Sequence, residues 1–484
     1  MILQRVEFYF DKLEKDYPFL YNKMYLIGCF CIFYKLGGLI VSKIVLVGVN
    51  HAGTACANTL LDNYPEHELV IFDRNNNISY LGCGTALWIG RQIESPDGLF
   101  YASKDVFEAK NATVHIETEV THIDFKEKKV TAKKKDGSEV TESYDKLVLA
   151  TGSLPIQPKI DGVNLENVQS VKLFQDAVAA NARMEDPTIK SVAVVGAGYI
   201  GVEIAEAMHR RGKKAYLFDV RDTSLCGYYD PELTKDMDDN LQKNGVELHL
   251  GESVLSIDGE TKVTGITTDK GTYSVDMVVL AIGFVPNTSL GRDHLKTFGK
   301  SAAYLVDRHQ QTSDSDVYAI GDCATVFSNA LQDTAYIALA TNAVRSGIVA
   351  AHNIAGTVIE SNGVQGSNGI SIFGYNMVST GLTLRAATEA GFKAMVTEFE
   401  DLQRPAFMKE NHSVKIRIVY DGETRRILGA QMASYEDISM GIHMFSLAIE
   451  QKVTIDHLKL VDIFFLPHFN QPYNYITMAA ISAK

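Results

Sequence analysis

Cys83 stands between two glycines in Tyr80-Leu-Gly-Cys-Gly84, just ahead of a helical pattern that begins at Ala86-Leu87-Trp88-Ile89. A thiol at a helix N-terminus is stabilised as thiolate by the free amides and the helix dipole, which makes it a nucleophile at neutral pH. A dithiol pair with its second cysteine five residues on is excluded, because that position is Trp88. Three fates remain for the sulfur: a reversible sulfenic acid, a mixed disulfide with a small thiol, or a buried structural thiol. His51 is the second candidate. It lies inside a glycine-rich turn at the start of a helix, where the dipole disfavours the protonated ring and leaves it able to exchange a proton near neutrality. A capping or packing histidine fits the same position.

Two glycine signatures position these groups, Gly48-Val-Asn-His-Ala-Gly53 and Gly196-Ala-Gly-Tyr-Ile-Gly201. Each follows a short apolar run of the buried parallel-strand type, Ile44 to Val47 and Val192 to Val195, and each precedes helical spacing, Ala52 to Asn63 and Val202 to Arg211. Second apolar strands come next, Leu69 to Phe72 and Ala215 to Phe218, ending at Asp73 and Asp219. In such a β-α-β unit the glycines let the backbone approach a pyrophosphate, the helix N-terminus receives its charge, and the acid accepts from the adenosine ribose. Asp219 would repel a 2′-phosphate and so favours NADH over NADPH, with Arg221 two residues later arguing the other way. Asn50 replaces the middle glycine of the first signature and, as a residue that tolerates left-handed backbone, should preserve the turn. Two such cradles in one chain suit two different nucleotides, the plan of a flavoprotein reductase fed by a nicotinamide.

The 484 residues are enough for about three domains, and a hydrophobic share of 46% with 22% charged residues is ordinary for a globular protein. A net charge of -13 argues against a nucleic-acid partner, whose phosphates need a basic surface. Cysteines 29, 31, 56, 83, 226 and 323 show no metal-ligand spacing and no Cys-x-x-Cys, a reducing-compartment pattern that points to the cytoplasm and to no metal. Residues 1–41 look foreign to the rest of the chain. The apolar run Met24 to Tyr34 is too short to span a bilayer and no clear signal-peptide cleavage site is present, so the expectation is a dispensable extension, with translation starting near Val41 and no stable membrane association. A membrane tether is the rival reading. Near the other end, Val414 to Val419 and Ile427 to Met432, joined through Asp421-Gly422, read as a hairpin.

The strings Val47-Gly-Val-Asn-His51-Ala-Gly-Thr and Asn77-Ile-Ser79-Tyr-Leu-Gly-Cys83-Gly strongly resemble the NADH oxidase and NADH peroxidase group of single-cysteine flavoprotein reductases, which includes coenzyme A disulfide reductases. The resemblance runs from about Ser42 to the C-terminus, through Ala150-Thr-Gly152, Ala281-Ile-Gly283-Phe, Ala319-Ile-Gly-Asp322, Tyr336-Ile-Ala-Leu-Ala-Thr341 and Phe464-Phe-Leu-Pro-His468-Phe. It implies an α/β fold with two Rossmann-like dinucleotide-binding domains, for FAD and NAD, plus a C-terminal α+β dimerisation domain. The implied limits are 42–155 and 286–362 for the two parts of the FAD domain, 156–285 for the NAD domain and 363–484 for the last. Cys83 would cycle between thiolate and sulfenic acid, with His51 as its acid/base neighbour.

The resemblance further implies that FAD is lined by Gly48, Asn50, His51, Ala52, Gly53, Asp73, Cys83, Val120, Ala150, Thr151, Gly152, Asp322, Ala338, Leu339, Ala340 and Thr341. NADH would meet Gly196, Gly198, Tyr199, Ile200, Gly201, Asp219, Tyr228, Gly283 and Gly369, with Tyr199 as an aromatic gate over the flavin. Phe465 and His468 would reach the partner subunit's FAD in a homodimer. The implied activity is FAD-dependent oxidation of NADH with four-electron reduction of dioxygen to water. An NADH peroxidase or a coenzyme A disulfide reductase uses the same parts. A flavoprotein redox sensor is the alternative from another class, disfavoured by the lack of long charged or disordered tails.

Overall fold

The computed structural model describes residues 41–484, so the expectations for the leading extension lie outside the described residues. In chain order the first unit runs β1 (Lys43–Val47), α1 (His51–Asn63), β2 (Glu68–Phe72), α2 (Thr85–Ile89), β3 (Thr113–His115) and β4 (Lys146–Leu149). The second runs β5 (Val168–Ser170), β6 (Ser191–Val195), α3 (Tyr199–Arg210), β7 (Lys214–Asp219), α4 (Pro231–Lys243), β8 (Glu247–Leu250) and β9 (Met277–Leu280). The chain then returns through β10 (Val317–Ala319) and α5 (Ala340–Ile354). A last unit holds β11 (Asn368–Ile372), β12 (Tyr375–Gly381), β13 (Ala394–Leu402), β14 (Ser413–Asp421), β15 (Ile427–Ser434), α6 (Ser439–Glu450) and α7 (Tyr475–Ile481).

Two parallel sheets result, ordered β10-β4-β1-β2-β3 and β8-β7-β6-β9-β5, with the strand from residues 317–319 completing the first sheet after the whole second unit has been inserted. Their central strands read as unbroken apolar runs because both faces are covered; Ile44, Val45 and Leu46 are fully buried, as are Val192, Ala193 and Val194. Each such Val, Ile or Leu contributes about 1.5–3 kcal/mol of burial free energy, so these strands anchor the turns at their carboxyl ends. The third sheet is antiparallel, β11-β12-β15-β14-β13, and the hairpin expected around Asp421-Gly422 is its β14-β15 pair. The chain is therefore α/β with two Rossmann-like units and a C-terminal α+β unit.

A buried ion pair ties the second and third units together. Arg417 on β14 and Asp230 ahead of α4 each expose about 3% of the side chain, with Arg417 Nε 2.9 Å from Asp230 Oδ2. Gln431 accepts from the Asp230 amide at 2.7 Å and donates back to its carboxylate at 2.8 Å. No helix among the described residues is long and apolar enough to cross a membrane.

Candidate active site

The two glycine turns close on the strand that flanks them. Gly48 has φ +93° and Gly196 φ +105°, and a Cβ on either would fall 2.3 Å from the Ala150 carbonyl oxygen or 2.4 Å from that of Ala281. Only glycine meets both demands. The middle position makes neither: Asn50 has φ -88° and ψ -147°, and Gly198 φ -78° and ψ -171°. Asn50 is thus accepted because its φ is negative, and the expected left-handed conformation is corrected. Neither α1 nor α3 receives a side-chain cap, so their first-turn amides are left for an anion. These residues fit a dinucleotide pyrophosphate at each turn.

The two acids first serve their own turns. Asp73 Oδ2 accepts from the Val49 amide at 2.9 Å and its Oδ1 from the Asn75 amide at 2.8 Å; Asp219 Oδ2 accepts from Ala197 at 2.7 Å and its Oδ1 from Arg221 at 2.9 Å. Asp73, which also accepts from the Asn75 side chain, keeps a lone pair for a ribose hydroxyl, whereas Ala197 and the Arg221 amide and guanidinium together fill the acceptor sites of Asp219. Burial pushes the Asp73 carboxyl up. Burial acts likewise on Asp219, but the Arg221 side chain and the amides outweigh it and hold that carboxyl below its usual range.

Cys83 sits in a tight turn, Gly82–Gly84, directly before α2, and its side chain is exposed and unpaired. The expectation of a helix-lowered thiol is overturned. α2 spans five residues, and burial, followed by the Glu203 carboxylate, pushes the thiol up. A helix this short carries little dipole, whereas partial desolvation and a neighbouring carboxylate both disfavour the thiolate. His51 opens α1, and burial lowers its pKa against the opposing pull of Asp322, so the ring is neutral, although for a reason other than the dipole. Its Nδ1 lies 2.8 Å from the Tyr101 hydroxyl, with the rings nearly parallel. Ser79, buried and left-handed at φ +59°, holds that tyrosine in place: its Oγ accepts from the Tyr101 and Ala102 amides, and its own amide donates to Val49. No hydrogen bond joins His51 to Cys83 among the described residues, but the Asp322 charge acts on both.

Asp322 lies past the end of β10 in the turn Gly321–Cys323, where it caps no long helix. Its Oδ2 accepts from Ser153 at 2.8 Å and stands 3.9 Å from Lys172 Nζ; that ammonium also donates to Ser153 Oγ at 2.6 Å and lies over the Phe284 ring. Ala150 and Thr151 are tied to Val47 and Asn287, and Gly152 has φ +67° with open space where a side chain would be. Leu339 precedes α5 and Ala340 begins it, flanked by exposed Ala338 and Thr341. Val120 is 7% exposed and packs with Val47, Phe72 and Leu149, a core position beneath the first turn.

At the second turn the Tyr199 hydroxyl bonds to the Tyr229 hydroxyl at 2.7 Å and to Asn368, the residue before Gly369, while Tyr228 meets its ring edge-on. Gly283 follows β9 at φ +107°, its carbonyl accepting from Ile156. Glu203, one turn along α3 from Tyr199, has no hydrogen-bond partner among the described residues, and burial followed by the Glu206 charge raises it to about 7. Phe465 is 47% exposed in an apolar stretch with Phe464, Leu466 and Phe469; the carbonyl of His468 accepts from Arg404. Tyr101, Lys172, Glu203 and Asn368 were not foreseen. None of the four carried a local signal; Glu203 shares its helix face with Glu206 and Arg210, as in a solvated charged stripe. The described residues contain no group of three His, Cys, Asp or Glu able to hold a metal.

Residues 42–347 match the family model of pyridine nucleotide-disulphide oxidoreductases, and residues 369–474 match the dimerisation domain of the same family. Over 446 residues the chain is 58% identical to an NADH oxidase of Lactococcus lactis subsp. cremoris, covering 91% of this chain and all of that protein. It is 39% identical to an NADH oxidase of Enterococcus faecalis over 91% of this chain and 99% of the relative. Among solved structures it superposes on the water-forming NADH oxidase from Lactobacillus brevis bound to NADH, with a TM-score of 0.88 and 37% identity over 91% of this chain and 97% of that one.

Proposed function

The chain belongs to the pyridine nucleotide-disulphide oxidoreductase family, and from that premise we propose that it oxidises NADH and delivers four electrons to dioxygen, releasing water rather than peroxide. It is an NADH oxidase, an oxidoreductase that uses FAD and NADH and pairs through its C-terminal unit as a homodimer. The first turn, with Asp73, Gly152, Asp322 and the start of α5, is our assignment for FAD; the second, with Tyr199, Asp219, Tyr228, Gly283 and Gly369, is our assignment for NADH. The domain limits follow that division, 42–155 with 286–362 for FAD, 156–285 for NADH and 363–484 for pairing.

The observation that carries the water-forming reading is an exposed, unpaired Cys83 that shares the field of Asp322 with a neutral His51. FAD, when bound, supplies the two-electron relay between NADH and the oxygen acceptors. Burial and Glu203 keep the thiol protonated, so neutral His51 is the group that takes its proton, and Tyr101 fixes which ring nitrogen is free to do so. Two electrons from the first NADH, with its hydrogen and one proton, take dioxygen to hydrogen peroxide; the thiolate attacks one of its oxygens, the O–O bond breaks, and His51 returns the proton to the leaving hydroxide as water. Cys83 is left as a sulfenic acid. The hydride equivalent of a second NADH, together with one proton from solvent, then cleaves the S–O bond, the oxygen leaves as the second water, and the thiol is restored. Phe465 and His468 belong, in this reading, against the partner subunit's FAD.

The test is the stoichiometry in an oxygen electrode. Water formation consumes two NADH per dioxygen without peroxide, and Cys83→Ser should move the ratio towards one with peroxide accumulating while flavin reduction by NADH persists. Unchanged water formation in that variant would remove the cysteine from the mechanism. Turnover with peroxide in place of oxygen, or with coenzyme A disulfide, would instead favour the peroxidase or disulfide reductase activity.

A further inference from the structure

Resting on the assignment of the second turn to the nicotinamide dinucleotide, we infer that Asp219 and Arg221 form a charge selector, in which the residue that rejects a 2′-phosphate also holds shut the arginine that would bind it. Arg221 Nε donates to Asp219 Oδ1 at 3.0 Å and Nη2 donates to Oδ2 at 3.2 Å, while the Arg221 amide donates to Oδ1 at 2.9 Å. One residue thus engages both carboxylate oxygens. The Asp219 side chain is 5% exposed, whereas that of Arg221 is 48% exposed, so the cation stands on the outer lip of the turn. The lip continues into the Cys226 to Tyr228 loop, since Nη1 lies 3.9 Å from where a Cβ on Gly227 would be.

The first turn shows that the arginine is not needed for the fold. There Asp73 is followed at the same distance by Asn75, whose amide and side-chain nitrogen donate to Oδ1 at 2.8 and 3.0 Å. A neutral residue closes the same backbone geometry, which leaves the guanidinium charge of Arg221 surplus to structure. A guanidinium has five N–H donors, and the carboxylate uses only two of them. The remaining donors are those suited to phosphate, for which arginine is the preferred partner.

With the pair intact the lip is near neutral, and selectivity falls to the Asp219 carboxylate, which repels a phosphate there. Neutralising Asp219 leaves an unopposed cation at the same place. Asp219→Asn therefore turns this chain towards NADPH without any arginine being introduced, because its own is already in position.

The experiment uses the flavin-loaded dimer with Asp219→Asn, Arg221→Leu and the double variant, measuring kcat/KM for NADH and NADPH, and calorimetric binding of ADP and of 2′-phosphorylated ADP. In Asp219→Asn the NADPH-to-NADH ratio should rise roughly tenfold or more, the scale of one charge-assisted hydrogen bond, with salt-sensitive binding of the phosphorylated probe. Both gains should vanish in the double variant. Arg221→Leu alone should lower residual NADPH turnover several-fold more than NADH turnover. A gain that survives loss of Arg221, no gain in Asp219→Asn, or equal losses in Arg221→Leu would overturn the selector. If ADP fails to compete with NADH in the unaltered protein, the assignment of this turn to the nicotinamide dinucleotide falls, and the selector falls with it.

Discussion

Glu203→Gln should stabilise this protein above neutral pH and make Cys83 more acidic. Glu203 lies half-buried on α3 without a hydrogen-bond partner among the described residues, and burial followed by Glu206 raises its carboxyl from 4.5 to about 7. Each tenfold change in proton affinity corresponds to about 1.4 kcal/mol, so the displacement amounts to about 3 kcal/mol. Between pH 4.5 and 7 the folded chain keeps a proton that the unfolded chain has released, so stability is fully present below the unfolded value and is lost as pH rises through the folded one. An amide in its place has the same shape and no charge to desolvate, so the variant should lack that part of the loss. The assay is denaturant unfolding of both proteins at pH 5 and pH 8, with flavin occupancy matched. The gap between them should widen in favour of Glu203→Gln by up to about 3 kcal/mol at the higher pH. Because Glu203 is the main charge pushing the Cys83 thiol up, alkylation of Cys83 should also begin at lower pH in the variant. Equal pH dependence of stability in the two proteins, together with an unmoved alkylation profile, would refute the placement of an unpaired carboxylate beside the sulfur.

Two other perturbations each remove one polar group that holds a partner in place. Tyr101→Phe removes the hydroxyl on His51 Nδ1, worth about 1 kcal/mol, and should slow water formation about fivefold with little effect on the NADH KM; nitrogen NMR of the imidazole should show a mixed tautomer, and an unaltered tautomer with unaltered rate would exclude the positioning role. Arg417→Met strips from Asp230 the buried cation paired with it among the described residues, leaving that carboxylate to Gln431 and the Leu384 amide, and should cost about 3–5 kcal/mol in thermal or denaturant unfolding; a loss below about 1 kcal/mol would show that the pair is not a latch between the second and third units.

What the residues announce unaided is whatever depends on neighbours in the chain. Ile44 to Val47 and Val192 to Val195 read as doubly covered strands because a parallel strand must be apolar throughout, and the sheet order bears that out. Gly48 and Gly196 mark turns because no other residue fits their dihedral angles, and Trp88 in place of a second cysteine rules out a near-neighbour disulfide. Asn50 does not belong with the two glycines, because only the first position of the motif takes a positive φ.

Tertiary structure decided whatever depends on which surfaces meet. His51 and Tyr101 are 50 residues apart, and Asp230 and Arg417 are 187 apart, so nothing in local spacing pairs them. The ionisation of Cys83 is likewise invisible to local spacing. A helix dipole can be inferred from a local pattern, but desolvation and the charge of Glu203 arise only when α3 is packed beside the Cys83 turn, and in that setting they outweigh a five-residue helix. Chain-local geometry is written in residue order, whereas electrostatics at the site is a property of the packed volume around it.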